Sequence, residues 1–388
     1  MKKLLKLAVC FFVAALFVSP FVACDNDPDI DISVKEEALS KAVEQYVNNT
    51  VIYTYRNLAD ATIDLYGAIE TLKVNKTNAN LNAAAEQWIE TRAHWELSEA
   101  FLYGAVADFG IDPHIDTWPL DETAFVQLIN NNDFIAGMDA EDGDVWASEH
   151  LGNALLGFHG VEYILFSEGE VKSASAITEK ELIYALAVMG DLRNQCIRLE
   201  AAWAGYDAVT KEKQTLIDDL ELGITPSNSN TSYGENMLTA SKPGSTYKTI
   251  TAASLAILDG CAVISEEVGD LKIGNAWRGD DRNYLESPYS YNSLVDFENN
   301  IISIENAYLG GAEKNKRGGS VSDYIKSVNP TADTKVKNAI TNAITKIKAI
   351  PYPFERNYSS TQAGAAIDAC TELTNALNEA KVALAEGD

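Results

Sequence analysis

Histidine and carboxylate side chains at helical spacing are the residues of this chain with the most chemistry to offer. Only four histidines occur, His94, His114, His150 and His159, which limits any histidine-rich metal site. His159 differs from the others because Glu162 follows three residues later, and on a helix that spacing leaves the two side chains about 60° apart on one face. Both could reach one metal ion, as in helical bundles whose ligands project inward from facing helices. A hydrogen bond that packs the helix uses the same spacing, and two ligands do not complete a site. If the stretch from Asp144 to Phe166 is one helix, His150 points to the side opposite His159 and is a poor third ligand.

The cysteines add little catalytic potential. Cys196, Cys261 and Cys370 are an odd set that cannot all pair within one chain. Cys196 shares an apolar helical stripe with Leu182, Leu186, Met189, Leu199 and Trp203, which reads as core. The formal net charge is −27. Such an acidic chain repels nucleic acid, so no nucleic-acid partner is expected. Solubility accounts for the charge more simply than a dedicated cation-binding surface does.

These residues must be positioned by helices. Apolar residues recur at helical spacing in both halves, and long alternating β-branched runs are absent, so the fold class is all-α, with two helical-bundle domains packed side by side. Val34 to Leu72, Leu81 to Leu102, Tyr247 to Val268, Tyr291 to Tyr308 and the alanine-rich Ala365 to Ala385 read as helices. Asp108 to Asp121, Asn130 to Asp144 and Lys272 to Tyr289 read as irregular connections. The polar run Ile224 to Ser232, followed by Lys242-Pro243-Gly244-Ser245, places a boundary between about 205 and 245. The bundles are then residues 35–220 and 235–388.

The start of the chain reads as an export signal. Lys2, Lys3 and Lys6 precede an apolar stretch from Leu7 to Val18, too short to span a bilayer and broken by Ser19-Pro20. Phe21-Val22-Ala23-Cys24 resembles a lipoprotein processing site. Residues 1–23 are then a signal peptide, Cys24 carries the lipid, and the acidic residues 24–34 tether the body to a membrane of the cell envelope, with the outer membrane expected.

Gly157-Phe158-His159-Gly160-Val161-Glu162 matches at every fixed position the Gly-x-His-x-x-Glu motif of the imelysin family, also called the M75 peptidase-like family. Trp88, Arg92 and Trp95 with Glu99-Ala100-Phe101 and Gly104 resemble that family's early helix, and Asp112 with Trp118-Pro119 its following loop. Lys272-Ile273-Gly274, Glu286-Ser287-Pro288-Tyr289-Ser290, Asp296 and Tyr308-Leu309-Gly310 resemble its second half. The resemblance implies two related helical bundles with a site near their interface, and lipoprotein or periplasmic relatives linked to iron uptake. It assigns metal or ligand contact to His159, Glu162 and Glu286, with Arg92, Glu99, Ser287 and Gly157 in support. Trp88, Trp95 and Trp118 read as packing residues.

The implied function is an envelope lipoprotein that binds a metal, iron or zinc, or an iron-containing ligand, with iron-uptake components as partners. A metallopeptidase is the alternative, although zinc peptidases usually present two histidines four residues apart and a separate glutamate base, whereas this motif offers one histidine. A metal-free interaction protein is the third reading.

Overall fold

The computed structural model describes residues 32–227, 229–281 and 284–386. Cys24 and the export signal lie outside the described residues. Among those described, the protein is almost wholly helical, with one small antiparallel pairing of Phe166–Ser167 on Glu170–Val171. No described helix is long and apolar enough to cross a membrane.

Local chemistry sets the helix ends. Thr178 and Glu181 form a reciprocal capping box that opens the helix Glu179–Ala204, and Ser320 with Asp323 does the same for Val321–Val328. Pro330 occupies the first turn of Pro330–Lys348, where its missing N–H costs nothing. The helix Ser293–Leu309 stops at Gly310 in the left-handed conformation.

In the first half, Glu179–Ala204 packs against Ile52–Val74, which in turn packs against Asn78–Glu96. In the second, Thr361–Ala385 packs against both Pro330–Lys348 and Ile250–Glu266, and Ser293–Leu309 lies against those same two helices. The first helix, Ile32–Tyr46, sits against Ile250–Glu266 and Val321–Val328, and Asn78–Glu96 meets Ser293–Leu309. One buried apolar cluster therefore extends from Leu39 to Leu384. Cys196, Cys261 and Cys370 are free thiols inside it, as the apolar stripe of Cys196 predicts for the first of them.

Several stretches differ from the sequence reading. Val34 to Leu72 is helical but contains a wider π turn at Val47–Val51. A second π turn, Glu267–Ile273, follows Ile250–Glu266. The connection Asn130 to Asp144 contains the helix Asn132–Met138, capped by Asn131. Asp144 to Phe166 is not one helix, since Gly143–His150 ends before a 3-10 turn at Asn153–Leu155 and a new helix, Gly157–Leu165. His150 thus stacks on Trp146 on a separate helix, with ring centroids 4.3 Å apart.

The new helix begins at Gly157, where the backbone has a steric requirement. Its φ is +74°, and a Cβ there would lie 1.9 Å from the carbonyl oxygen of Ile115. Only glycine lets the two backbones touch, and that contact sets His159 beside Asp116, the neighbour of Ile115. Gly157→Ala should therefore lower the unfolding free energy by about 3 kcal/mol, from left-handed strain together with the clash. Urea unfolding followed by circular dichroism checks this, with native helical content retained in the absence of urea.

Candidate functional site

Arg92 is the centre of the site. It projects from Asn78–Glu96 with no solvent exposure, and its guanidinium meets four carboxylates. Nη1 pairs with Asp116. Nη2 pairs with Glu96, one helical turn away, and donates at 3.3 Å to Glu286 Oε1. Nε lies 4.0 Å from Asp296 Oδ1, and the plane rests 5.1 Å from the centroid of Phe158.

His159 and Glu162 stand next to this network on the short helix after Gly157. The predicted neighbourhood of the pair holds, with Nδ1 2.9 Å from Glu162 Oε2. The other ring nitrogen is 3.1 Å from Asp116 Oδ1. Glu162 Oε1 accepts from the backbone N–H of Tyr289 at 3.1 Å and of Ser290 at 2.8 Å, and from the Ser290 hydroxyl at 2.7 Å. Glu162 thus holds the Tyr289-Ser290 segment of the second half against the motif helix.

Lys272 enters from the π turn Glu267–Ile273. Its Nζ lies 2.5 Å from Glu286 Oε1, 3.6 Å from Glu99 Oε1 and 3.8 Å from Glu96 Oε2. Ser287 donates to Asp296 Oδ2 at 2.5 Å, and Asn292 to its other oxygen at 2.6 Å. Glu99 belongs to the 3-10 turn Glu99–Phe101 beyond the end of the Arg92 helix, so the residue that shares a face with Arg92 is Glu96, four residues on. All the sequence-predicted residues, Arg92, Glu99, Gly157, His159, Glu162, Glu286 and Ser287, come together here; Cys24 is outside the described residues.

Glu96 and Asp116 were missed. The Arg92-x-x-x-Glu96 spacing was a legible signal for an ion pair. Asp116 had none, because the segment Asp108 to Asp121 that reads as irregular holds a short helix, Ile111–Ile115, whose C-cap Asp116 is placed by tertiary packing. Trp95, read as packing, is buried and also donates from Nε1 to Asp116 Oδ2 at 2.8 Å.

Electrostatics explain why the network is unusual. Glu96, Glu99, Asp116, Glu162, Glu286 and Asp296 are all buried, and face Arg92, Lys272 and His159. Even with His159 charged, these six acids exceed the three bases by three, and buried unpaired charge is costly. Protons answer part of it. Burial pushes the Glu99 carboxyl well above its usual range despite Lys272, and burial with neighbouring Glu96 does the same to Asp296. Burial raises Glu96 to about 7 against the attraction of Arg92. Asp116 goes the other way, because Arg92 and His159 outweigh the burial that opposes its charge. At His159, burial disfavours the imidazolium, but hydrogen bonds to Asp116 and Glu162 overcome it and push the group up to about 9.

A cavity of about 230 Å³ reaches the cluster, lined by Glu99, Asp112, Asp116, Glu267 and Lys272. Half-buried Trp118 and Tyr284 line it too, with ring centroids 3.9 Å apart. Trp118 therefore does more than fill the core. Burial also raises Asp112 to about 7.

The raised His159 has a stability consequence. A base whose folded pKa of about 9 exceeds its unfolded value of about 6.5 adds stability that is complete below about pH 6.5 and lost as pH rises through 9. The difference is on the order of 3 kcal/mol. In urea titrations of chelator-treated protein, wild type should weaken from about pH 6.5 to 9.5, and His159→Gln should weaken less over the same interval while starting lower.

Residues 51–383 match the family model described as Imelysin, Peptidase_M75. The chain is 25% identical over 332 residues to the iron-regulated protein A of Synechococcus elongatus, covering 84% of this chain and 80% of that protein. A crystal structure from Parabacteroides distasonis, provisionally described as an iron-regulated protein A precursor, has a TM-score of 0.75 and 29% identity, over 90% of this chain and 95% of the other. An imelysin-like protein from Psychrobacter arcticum shares the fold, with a TM-score of 0.59 and 14% identity over 92% and 95% of the two chains. With the Gly157 to Glu162 motif at the heart of the buried network and the match running through most of the sequence, this chain belongs to the imelysin family.

Proposed function

We propose that this protein binds an iron ion, or a small iron-containing ligand, at the acidic cluster beside Arg92, and serves iron uptake at the cell envelope. One observation carries the reading: Glu96, Glu99, Asp116 and Glu286, all buried, offer carboxylate oxygens that lie within 4.8 Å of one another. An all-oxygen donor set suits hard cations, a class that includes ferric iron. Glu286 Oε2 is buried without a hydrogen-bond partner, an acceptor that a bound cation would satisfy. In this reading His159 and Glu162 hold Asp116 and the Tyr289-Ser290 segment in place. The names of the relatives, which tie two of them to regulation by iron, support the choice of metal.

A cavity of about 230 Å³ takes an ion with its waters or a small chelate, and a second of about 400 Å³ shares Glu99 and Leu102 with it. The single histidine of the motif, against the two of the usual zinc peptidases, keeps the hydrolytic reading second. Lipid attachment at Cys24 would hold the protein at the membrane, with the acidic residues that follow it as the tether.

Two measurements check the proposal. In calorimetric titrations with ferrous, ferric and zinc ions, Glu99→Gln and Glu286→Gln should each weaken iron binding at least about tenfold, roughly 1.4 kcal/mol. Equal binding by wild type and both variants would place the ions on the acidic surface and leave the interaction-protein reading. In cells, Cys24→Ala should release the protein from membranes and abolish fatty-acid labelling.

A further inference from the structure

We propose that Lys272 is the resident counter-ion of the acidic cluster, and that a metal ion binds by displacing its ammonium group into the adjoining cavity. The inference rests on the metal-binding reading above and adds how that site is kept closed to other cations. Three of the four candidate ligands, Glu286, Glu99 and Glu96, surround Lys272 Nζ at 2.5 to 3.8 Å. An ion that takes oxygens at about 2.0 to 2.6 Å needs the same space and is repelled by the ammonium charge. The two cannot share the cluster.

The local fold gives the lysine somewhere to go. Lys272 lies on the π turn Glu267–Ile273, whose extra residue per turn breaks the helical register and aims the side chain at the cluster. It is 2% exposed, yet it also lines the cavity with Glu267 and Asp112. A rotation about its flexible stem leads from Glu286 into that cavity, where two further carboxyl groups receive the charge. Glu286 Oε2, buried and unpartnered while Oε1 holds Lys272 and Arg92, is the oxygen left for the incoming ion.

Displacement imposes selectivity. A monovalent ion replaces one positive charge by another and gains little, whereas a divalent or trivalent ion gains the extra attraction of the surplus carboxylates. Lys272 thereby excludes sodium and potassium without any contact to them.

Lys272→Met keeps the stem and removes the charge. In anaerobic calorimetric titration with ferrous iron, the variant should bind at least about tenfold more tightly than wild type. If wild type binds and Lys272→Met binds equally or more weakly, displacement is wrong while the site itself stands. If wild type binds no iron that Glu286→Gln loses, the site reading fails and this inference with it. Should Lys272→Met not fold, wild-type protein answers alone. Acetylation of Lys272, read by peptide mass spectrometry, should rise at least about threefold on saturation with ferrous iron as the ammonium leaves its carboxylates. Lys213, buried against Glu200 and also paired with Asp60, is the control that should not change. Unchanged labelling of Lys272 in iron-saturated protein overturns the proposal.

Discussion

A guanidinium sealed from water dictates most of what surrounds it. Arg92 can remain charged at zero exposure only because carboxylates from distant parts of the chain converge on it: Glu96 from its own helix, Asp116 from the loop after it, and Glu286 and Asp296 from the second half. Each of those acids would in turn be costly to bury as a charge without a cation beside it. Removing one partner of such a set typically costs about 3–5 kcal/mol, because the remaining charges stay buried and unpaired. The network is thus a constraint that several segments must satisfy together.

That constraint explains features that look unrelated along the chain. The glycine at 157 lets the motif helix approach Ile115 closely enough for His159 to bond Asp116. Trp95 holds the other oxygen of the same aspartate. Glu162 fastens the Tyr289-Ser290 backbone, next to Glu286 and to Ser287, whose hydroxyl holds Asp296. Positioning groups surround the acids on every side, whereas Glu99, Asp112 and Glu267 face the cavity. The result is an acidic wall beside the cavity in which carboxyl groups outnumber bases.

The sequence by itself determined the helical class, because apolar residues at 3.6-residue spacing can be buried only by helices, and it singled out His159 with Glu162 because one helical turn joins them. Resemblance to a family carried Arg92, Glu99, Glu286 and Ser287 to the same place. Tertiary structure decided what those residues touch. Asp116 carries no periodic signal, and the match of Glu96 to Arg92 gains meaning only once both are known to be buried. Lys272 reaches the acids through a π turn that apolar periodicity does not reveal. The helix expected through His150 and His159 ends at His150 and restarts at Gly157, where the approach of Ile115, a residue 42 positions away that no local pattern names, leaves no room for a Cβ. Spacing within a helix is a local property, whereas burial of charge depends on every segment packed around it.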